Sequence, residues 1–166
     1  PRTRDRKMSE YGEQLREKQK LRQMYHLREA QFRKYVEKAQ QARGVTGEVL
    51  LRQLEMRLDN VVFRLGFANS RGQARQMVSH RFFTVNGKRV NIPSYQVREG
   101  DVIGIHESKR STALAKDALA RAAEHTPPAW LAYDANQVQG KVLHAPQADE
   151  IDTKIEMQKI IEFYSR

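Results

Sequence analysis

The chain has 166 residues, 39% of them apolar, which suits one or two modest domains with enough apolar surface to bury a core. Thirty Lys and Arg against 20 Asp and Glu leave a net charge of +10, a balance that predicts an anionic partner such as nucleic acid. The absence of cysteine excludes a disulfide framework, a catalytic thiol and a thiolate zinc site. No apolar run approaches the ~20 residues that cross a bilayer, and the first residues lack the apolar core of a signal peptide. The chain therefore reads as soluble and intracellular with no membrane partner, and its start at Pro1 without an initiator Met is consistent with a longer natural N-terminus.

The positive charge is uneven. Residues 1–57 carry 15 basic and 8 acidic side chains, residues 58–110 carry 9 and 4, and residues 111–166 carry 6 and 8, giving local balances of +7, +5 and −2. A solubilising charge would be spread evenly, so the first two thirds read as a binding surface and the last third as structural.

Taken in chain order, residues 9–24 place Leu15, Leu21, Met24 and Tyr25 among dense charges, a helix with a narrow apolar stripe, and Arg16, Lys18, Lys20 and Arg22 on it are candidate RNA contacts. Phe32, Tyr35, Val36 and Ala39 repeat the pattern until Gly44 stops it. Thr46 caps a third helix, with Leu50, Leu51, Leu54 and Leu58 inward and Val61, Val62 and Leu65 continuing the spacing, and Asp59 is placed to break or restart it. Ser70 and Gln73 form an S-x-x-Q capping box. The helix it opens turns Ala74, Met77 and Val78 inward, while Arg71 and Arg75, one turn and about 40° apart, project together on another side.

The period then changes from 3.6 to 2. Asn86-Gly87 between short β-prone runs predicts a type I′ hairpin, since both residues tolerate positive φ, and Lys88 and Arg89 follow the turn. A further short strand is predicted at 102–105. Residues 113–124 are alanine-rich and helical up to "TPP", after which "AWLAY" and "KVLHA" read as extended pieces. Thr153 and Glu156 predict a second capping box ahead of Met157, Ile160, Ile161 and Tyr164, whose i, i+3, i+4, i+7 spacing makes a last amphipathic helix. The N-terminal helices are its expected partner because their own stripes are too narrow to be buried alone.

The expected architecture is thus α+β and mainly helical. A helical domain, residues 1–56 completed by 150–166, receives an inserted small α+β module at 57–110, and a mixed extension at 111–149 packs on that module.

Catalytic chemistry is not indicated. The five histidines, at 26, 80, 106, 125 and 144, show no H-x-x-x-H spacing, and the acidic cluster Asp149, Glu150 and Asp152 suits a helix start. No nucleophile elbow, P-loop or dinucleotide fingerprint occurs, so neither an enzyme nor a cofactor or metal is expected. Arg71, Arg75 and Arg81 on or beside the helix, with Lys88 and Arg89 on the hairpin, come from separate stretches toward one surface. Guanidinium forks suit bidentate phosphate contacts, and structured RNA is recognised through shape, phosphate and 2′-OH.

The stretch "RLDNVVFRLGFANSRGQARQMVSHRFFTVNGKRVNIPSYQVREGDVIGI", 57–105, resembles the S-four RNA-binding module. With "SEYGEQLREKQKLRQMY", "QFRKYVEKA", "GVTGEVLLRQLEMRLDNVV" and the ending "IIEFYSR", nearly the whole chain is similar to the bacterial-type small ribosomal subunit protein four family, the correspondence being thinnest over 106–152. The family's usual N-terminal segment, which in some members holds a cysteine zinc knuckle, has no counterpart here, so no zinc is carried over. The resemblance implies a primary rRNA binder of the small ribosomal subunit in the cytoplasm or in an organelle. It implies roles in nucleating the subunit body, in decoding accuracy and at the channel through which mRNA enters, a contact with neighbouring protein five and, in some members, repression of the protein's own mRNA. It places Arg2, Arg4, Arg6 and Lys7 at the mRNA channel, with Asp5 departing from the family's basic pattern. A pseudouridine synthase would need a catalytic domain that the 61 residues after 105 do not supply, and a free-standing RNA chaperone or translational repressor would need only the module, not the long N-terminal helices.

Overall fold

Ser9 has extended backbone and its hydroxyl accepts from the Gly12 amide at 3.0 Å, so helix α1, Glu10–Met24, starts directly after it. The computed structural model describes residues 8–166. After α1 the chain turns at His26, whose φ of 59° is left-handed, into α2, Glu29–Gln41, and Gly44 at φ 106° separates α2 from α3, Thr46–Glu55. The last helix, α7, Met157–Tyr164, packs along α1.

The helix break expected at Asp59 falls earlier, at Met56–Arg57, because the passing segment 93–97 takes over the backbone groups there. The Met56 carbonyl accepts from the Val97 amide at 2.9 Å, the Leu58 amide donates to Tyr95 at 2.8 Å, and α4, Leu58–Arg64, begins beyond that exchange. Asp59 instead pairs with Arg57 at 3.0 Å, both fully enclosed.

Ser70 accepts from the Gln73 amide at 3.0 Å and starts α5, Arg71–Ser79, while the Gln73 side chain accepts from the Asn69 amide at 2.7 Å, one residue before the cap. Asn86 and Gly87, at φ 52° and 81°, make the two-residue turn between β1, Phe83–Val85, and β2, Lys88–Val90. Strand β3, Val102–Ile105, helix α6, Ala113–Glu124, and strands β4, Leu131–Asp134, and β5, Gln139–Val142, complete the elements. All pairings are antiparallel in the order β2-β1-β3-β5-β4, so the extended pieces after α6 are strands of the same sheet as the hairpin.

The capping box expected at Thr153 and Glu156 does not form. Glu156 precedes α7 without a side-chain cap, since its amide donates to the Glu17 carboxylate at 3.1 Å, and Thr153 lies outside the helix. Glu150 serves the short 3₁₀ turn at Ala148–Glu150, where its carboxylate accepts from the Gln147 amide at 3.0 Å.

The molecule divides into two compact units, with the boundary inside α3. The helical unit holds the described residues up to Leu50 and Thr153–Arg166, with Leu21, Tyr25, Phe32, Val36, Ala39 and Ile160 buried. The mixed unit, Leu51–Asp152, packs α4, α5 and α6 on the sheet around Phe67, Phe83, Ile103, Trp130 and Val142. Its helix-to-sheet approach is close: a Cβ on Gly140 of β5 would overlap the Leu65 side chain.

Candidate nucleic-acid interface

In the mixed unit the hairpin, the exit of α5 and the turn after β3 are tied by one guanidinium. Arg89 on edge strand β2 donates from Nε to the carbonyl of Arg81 at 2.9 Å and from a terminal nitrogen to the Ser108 hydroxyl at 3.3 Å. Arg81 itself has a left-handed backbone, φ 63°, and is exposed, as are Lys88 and Arg89. Arg110 donates to the Ile105 carbonyl at 3.2 Å, and Ser108 is further held by His106, whose Nδ1 lies 2.8 Å from its hydroxyl. Arg81, Lys88 and Arg89 thus stand with Lys109 and Arg110 on one margin of the sheet.

The two arginines on the α5 helix are placed differently. Arg71 is half-buried, donating to the Asn60 side-chain oxygen at 2.9 Å with its guanidinium 4.7 Å from the Phe63 ring centroid. Asn60 is fully buried and donates to the Glu55 carboxylate at 2.8 Å, which in turn receives Arg64 at 2.9 and 3.2 Å. Buried polar groups stand only where such partners complete their hydrogen bonds, so Arg71 is part of the link between α4 and α5 as well as a surface cation. Arg75, one turn on, is half-buried, and its carbonyl accepts from Ser79 at 2.9 Å.

In the helical unit, Arg16 is exposed and Lys20 pairs with Glu17 at 3.1 Å while staying half-exposed. Lys18 and Arg22, expected as RNA contacts, are engaged within the helical unit. Lys18 is buried, paired with Glu29 of α2 and lying 5.3 Å from the Phe163 ring centroid, and Arg22 bonds the Leu27 carbonyl at 2.8 Å and Glu29 at 3.4 Å. Both hold α1 to α2, because the apolar stripe between these helices is too narrow to do so alone. Arg2, Arg4, Arg6 and Lys7 lie outside the described residues.

Two further features escaped the sequence patterns. Lys109 and Arg110 follow β3 in a 3₁₀ turn that brings them beside Arg89, and the signal was a basic pair directly after a predicted strand. The Glu55–Asn60–Arg71 chain left no local signal, since its members come from three helices.

Glu17 and Tyr164 titrate away from their ordinary values, each beside a structural partner. Burial pushes the Glu17 carboxyl up, but the Glu156 amide and Lys20 bond its ionised form, and the net effect is to hold it below the usual range. The Tyr164 phenol is pushed up, by burial first and by Glu29 next, and it donates to Glu29 at 3.3 Å. Among the described residues no group of three or more His, Asp or Glu side chains could hold a metal, and no helix is long and apolar enough to cross a membrane.

A capped arginine-bearing helix, a hairpin and a basic turn joined at the margin of an antiparallel sheet define an S4-type protein, and residues 56–103 match the S4 domain. Residues 2–55 match the ribosomal protein S4/S9 N-terminal domain. The chain is 54% identical over 160 residues to the small ribosomal subunit protein uS4 of Pelotomaculum thermopropionicum, an alignment covering 96% of this chain and 77% of that protein. It is 55% identical over 160 residues to uS4 of Heliobacterium modesticaldum, with the same coverage of both chains. To uS4A of Symbiobacterium thermophilum it is 56% identical over 161 residues, 97% of this chain and 77% of the relative. The chain belongs to the uS4 family of small ribosomal subunit proteins.

Proposed function

We propose that the chain acts as a structural rRNA-binding protein of the small ribosomal subunit, with the margin built around Arg89 as its principal contact in the mixed unit. The observation that carries this reading is the bonding of Arg89 to the Arg81 carbonyl and the Ser108 hydroxyl, which fixes the Arg89 guanidinium and ties together the backbone segments that carry Arg81 and Lys109 before any ligand arrives. Ordering long basic side chains in advance lowers the entropy lost on binding, and a guanidinium fork matches phosphate oxygens. Family membership supports the ribosome as the setting. Within it we assign the chain the part of a primary binder that nucleates the subunit body, influences decoding accuracy, lies against protein five and offers Arg2, Arg4, Arg6 and Lys7 to mRNA at the entering channel. The helical unit favours this over a free-standing chaperone or repressor, for which the S4 module would suffice.

The test is affinity for small-subunit rRNA across a salt series. Log K should fall linearly with log salt, by roughly 0.7 to 0.9 for each phosphate contacted, and the protein should co-sediment with the small subunit after a high-salt wash. A flat salt response would sink the reading.

A further inference from the structure

The turn that joins β1 to β2 is held from outside the hairpin by a buried carboxylate. Asp101 stands directly before β3 with 9% of its surface exposed, and its two oxygens accept from two different segments. One takes the Asn86 side-chain amide at 2.9 Å and the other the Arg98 backbone amide at 2.8 Å. Asn86 in turn accepts from the Val102 amide on its side-chain oxygen at 2.9 Å, and its backbone amide donates to the Val102 carbonyl at 2.8 Å. The Asp101 carbonyl accepts from Val142 of β5 at 2.9 Å, which anchors the clamp in the middle of the sheet.

The hairpin does not need this clamp to form, because an Asn-Gly turn follows from the backbone preferences of its own two residues. A buried carboxylate is costly unless its oxygens are bonded, and here both are spent on fixing exposed turns. The tip has no other support at its outer residue, since a Cβ on Gly87 would meet nothing within 4 Å. Lys88 follows directly, exposed, and its side chain has no hydrogen bond or ion pair among the described residues. Arg98 on the second bonded segment is exposed too, but Glu99 is exposed beside it and offsets its charge. Lys88 is thus the cation whose placement rests on the clamp, whereas Arg89 has its own bonds to Arg81 and Ser108.

Resting on the rRNA-binding reading above, we propose that Asp101 is a positioning residue for rRNA: through Asn86 it holds the hairpin tip so that Lys88 meets a phosphate from a fixed backbone. The carboxylate has the wrong sign to bind RNA and acts on it only through the tip. Fixing the tip in advance removes an ordering cost from binding.

The donors and acceptors of the clamp define the test. Asp101→Asn keeps one oxygen for the Arg98 amide, but its new NH₂ group faces the NH₂ of Asn86 with no acceptor between them. Asn86→Asp sets two carboxylates against each other. The exchange of both, Asn86→Asp with Asp101→Asn, restores all three side-chain bonds with one donor and acceptor reversed, at the wild-type net charge.

The full chain, the two single variants and the exchange are titrated with a small-subunit rRNA transcript across a salt series, each with and without Lys88→Gln, below the melting transition of the least stable. Asp101→Asn should bind about three- to ten-fold more weakly although it removes a negative charge, Asn86→Asp at least as weakly, and the exchange within about two-fold of wild type. Lys88→Gln should lower the salt slope by about one contact in wild type and in the exchange, and by less in either single variant. If Asp101→Asn binds as tightly as wild type or more tightly, or the exchange does not restore binding, the clamp proposal falls while the rRNA reading stands. If Lys88→Gln costs the same in every background, or a single variant unfolds outright, Asp101 serves general stability and the proposal also falls. If the wild type itself does not bind, the rRNA reading fails first and the positioning role with it.

Discussion

Arg89 acts through its shape as much as its charge. Its Nε and one terminal nitrogen are spent on Arg81 and Ser108, which fixes the plane of the guanidinium and the left-handed turn behind it. Lysine carries the same charge on a flexible stem and cannot bond both partners with one planar group. Arg89→Lys should therefore weaken rRNA binding about three- to ten-fold with the salt slope nearly unchanged, whereas Arg89→Ala should also reduce the slope by about one contact. Titrations of both variants at several salt concentrations distinguish the two effects, and equal slopes for Lys and Ala would show that Arg89 touches no phosphate. Arg71 shows the converse. Its spacing with Arg75 suggested a pair of surface cations, yet its bond to the buried Asn60 makes it a tie between α4 and α5.

At the scale of elements, the contact of α7 with α1 adds a set of polar bonds to the Tyr11–Phe163 ring contact and the buried Ile160, which suits the narrow apolar stripe of α1. Gln14 donates to Glu162 and accepts from Arg166, Lys159 bonds Glu13, and the Glu156 amide donates to Glu17 at the start of α7. Glu17 gives this contact a pH signature on the acid side, because its carboxyl is held below the usual range in the folded chain. A carboxyl lowered on folding stabilises fully above its unfolded value, about 4.3, and that stabilisation is lost as pH falls through the folded value. Glu17→Gln should therefore cost about 1.5 to 3 kcal/mol at pH 7, the range for a hydrogen bond to a charged group, and progressively less below about pH 4. Denaturant melts of wild type and variant at pH 7 and at pH 3 check this. A constant difference across that range would show that ionisation of Glu17 contributes nothing.

At the scale of the whole molecule, exposed cations occur on both units: Arg16 and Lys20 on the helical unit, Arg81, Lys88 and Arg89 on the mixed unit. Two sites on one chain that hold one RNA gain affinity through effective concentration, by 10²- to 10⁴-fold. Reversing Arg16 and Lys20 to Glu, or separately Arg81 and Lys88 to Glu, should each lower affinity by on the order of 100-fold in filter binding on small-subunit rRNA. If the first pair changes nothing, the helical unit takes no part in holding RNA.

Local sequence alone determined the α+β, mainly helical class, the cap at Ser70, the Asn86-Gly87 hairpin, strand β3 and helix α6, because each depends on backbone chemistry within a few residues. It also determined the basic character of the surface, a property of composition. Tertiary structure decided what the cations do. Lys18, Arg22 and Arg71 look like Arg16 and Lys88 in a linear pattern, and only the arrival of Glu29 or Asn60 from another helix makes them structural. It likewise decided where the third helix breaks, since the backbone groups of Met56 and Leu58 are claimed by a segment some forty residues on. It withdrew the expected cap at Thr153, because the Glu156 amide found its acceptor in α1. The common reason is that a buried donor or charge must be paired by whatever the fold brings within about 3 Å, and the identity of that partner is a property of the packed chain, not of the neighbouring residues.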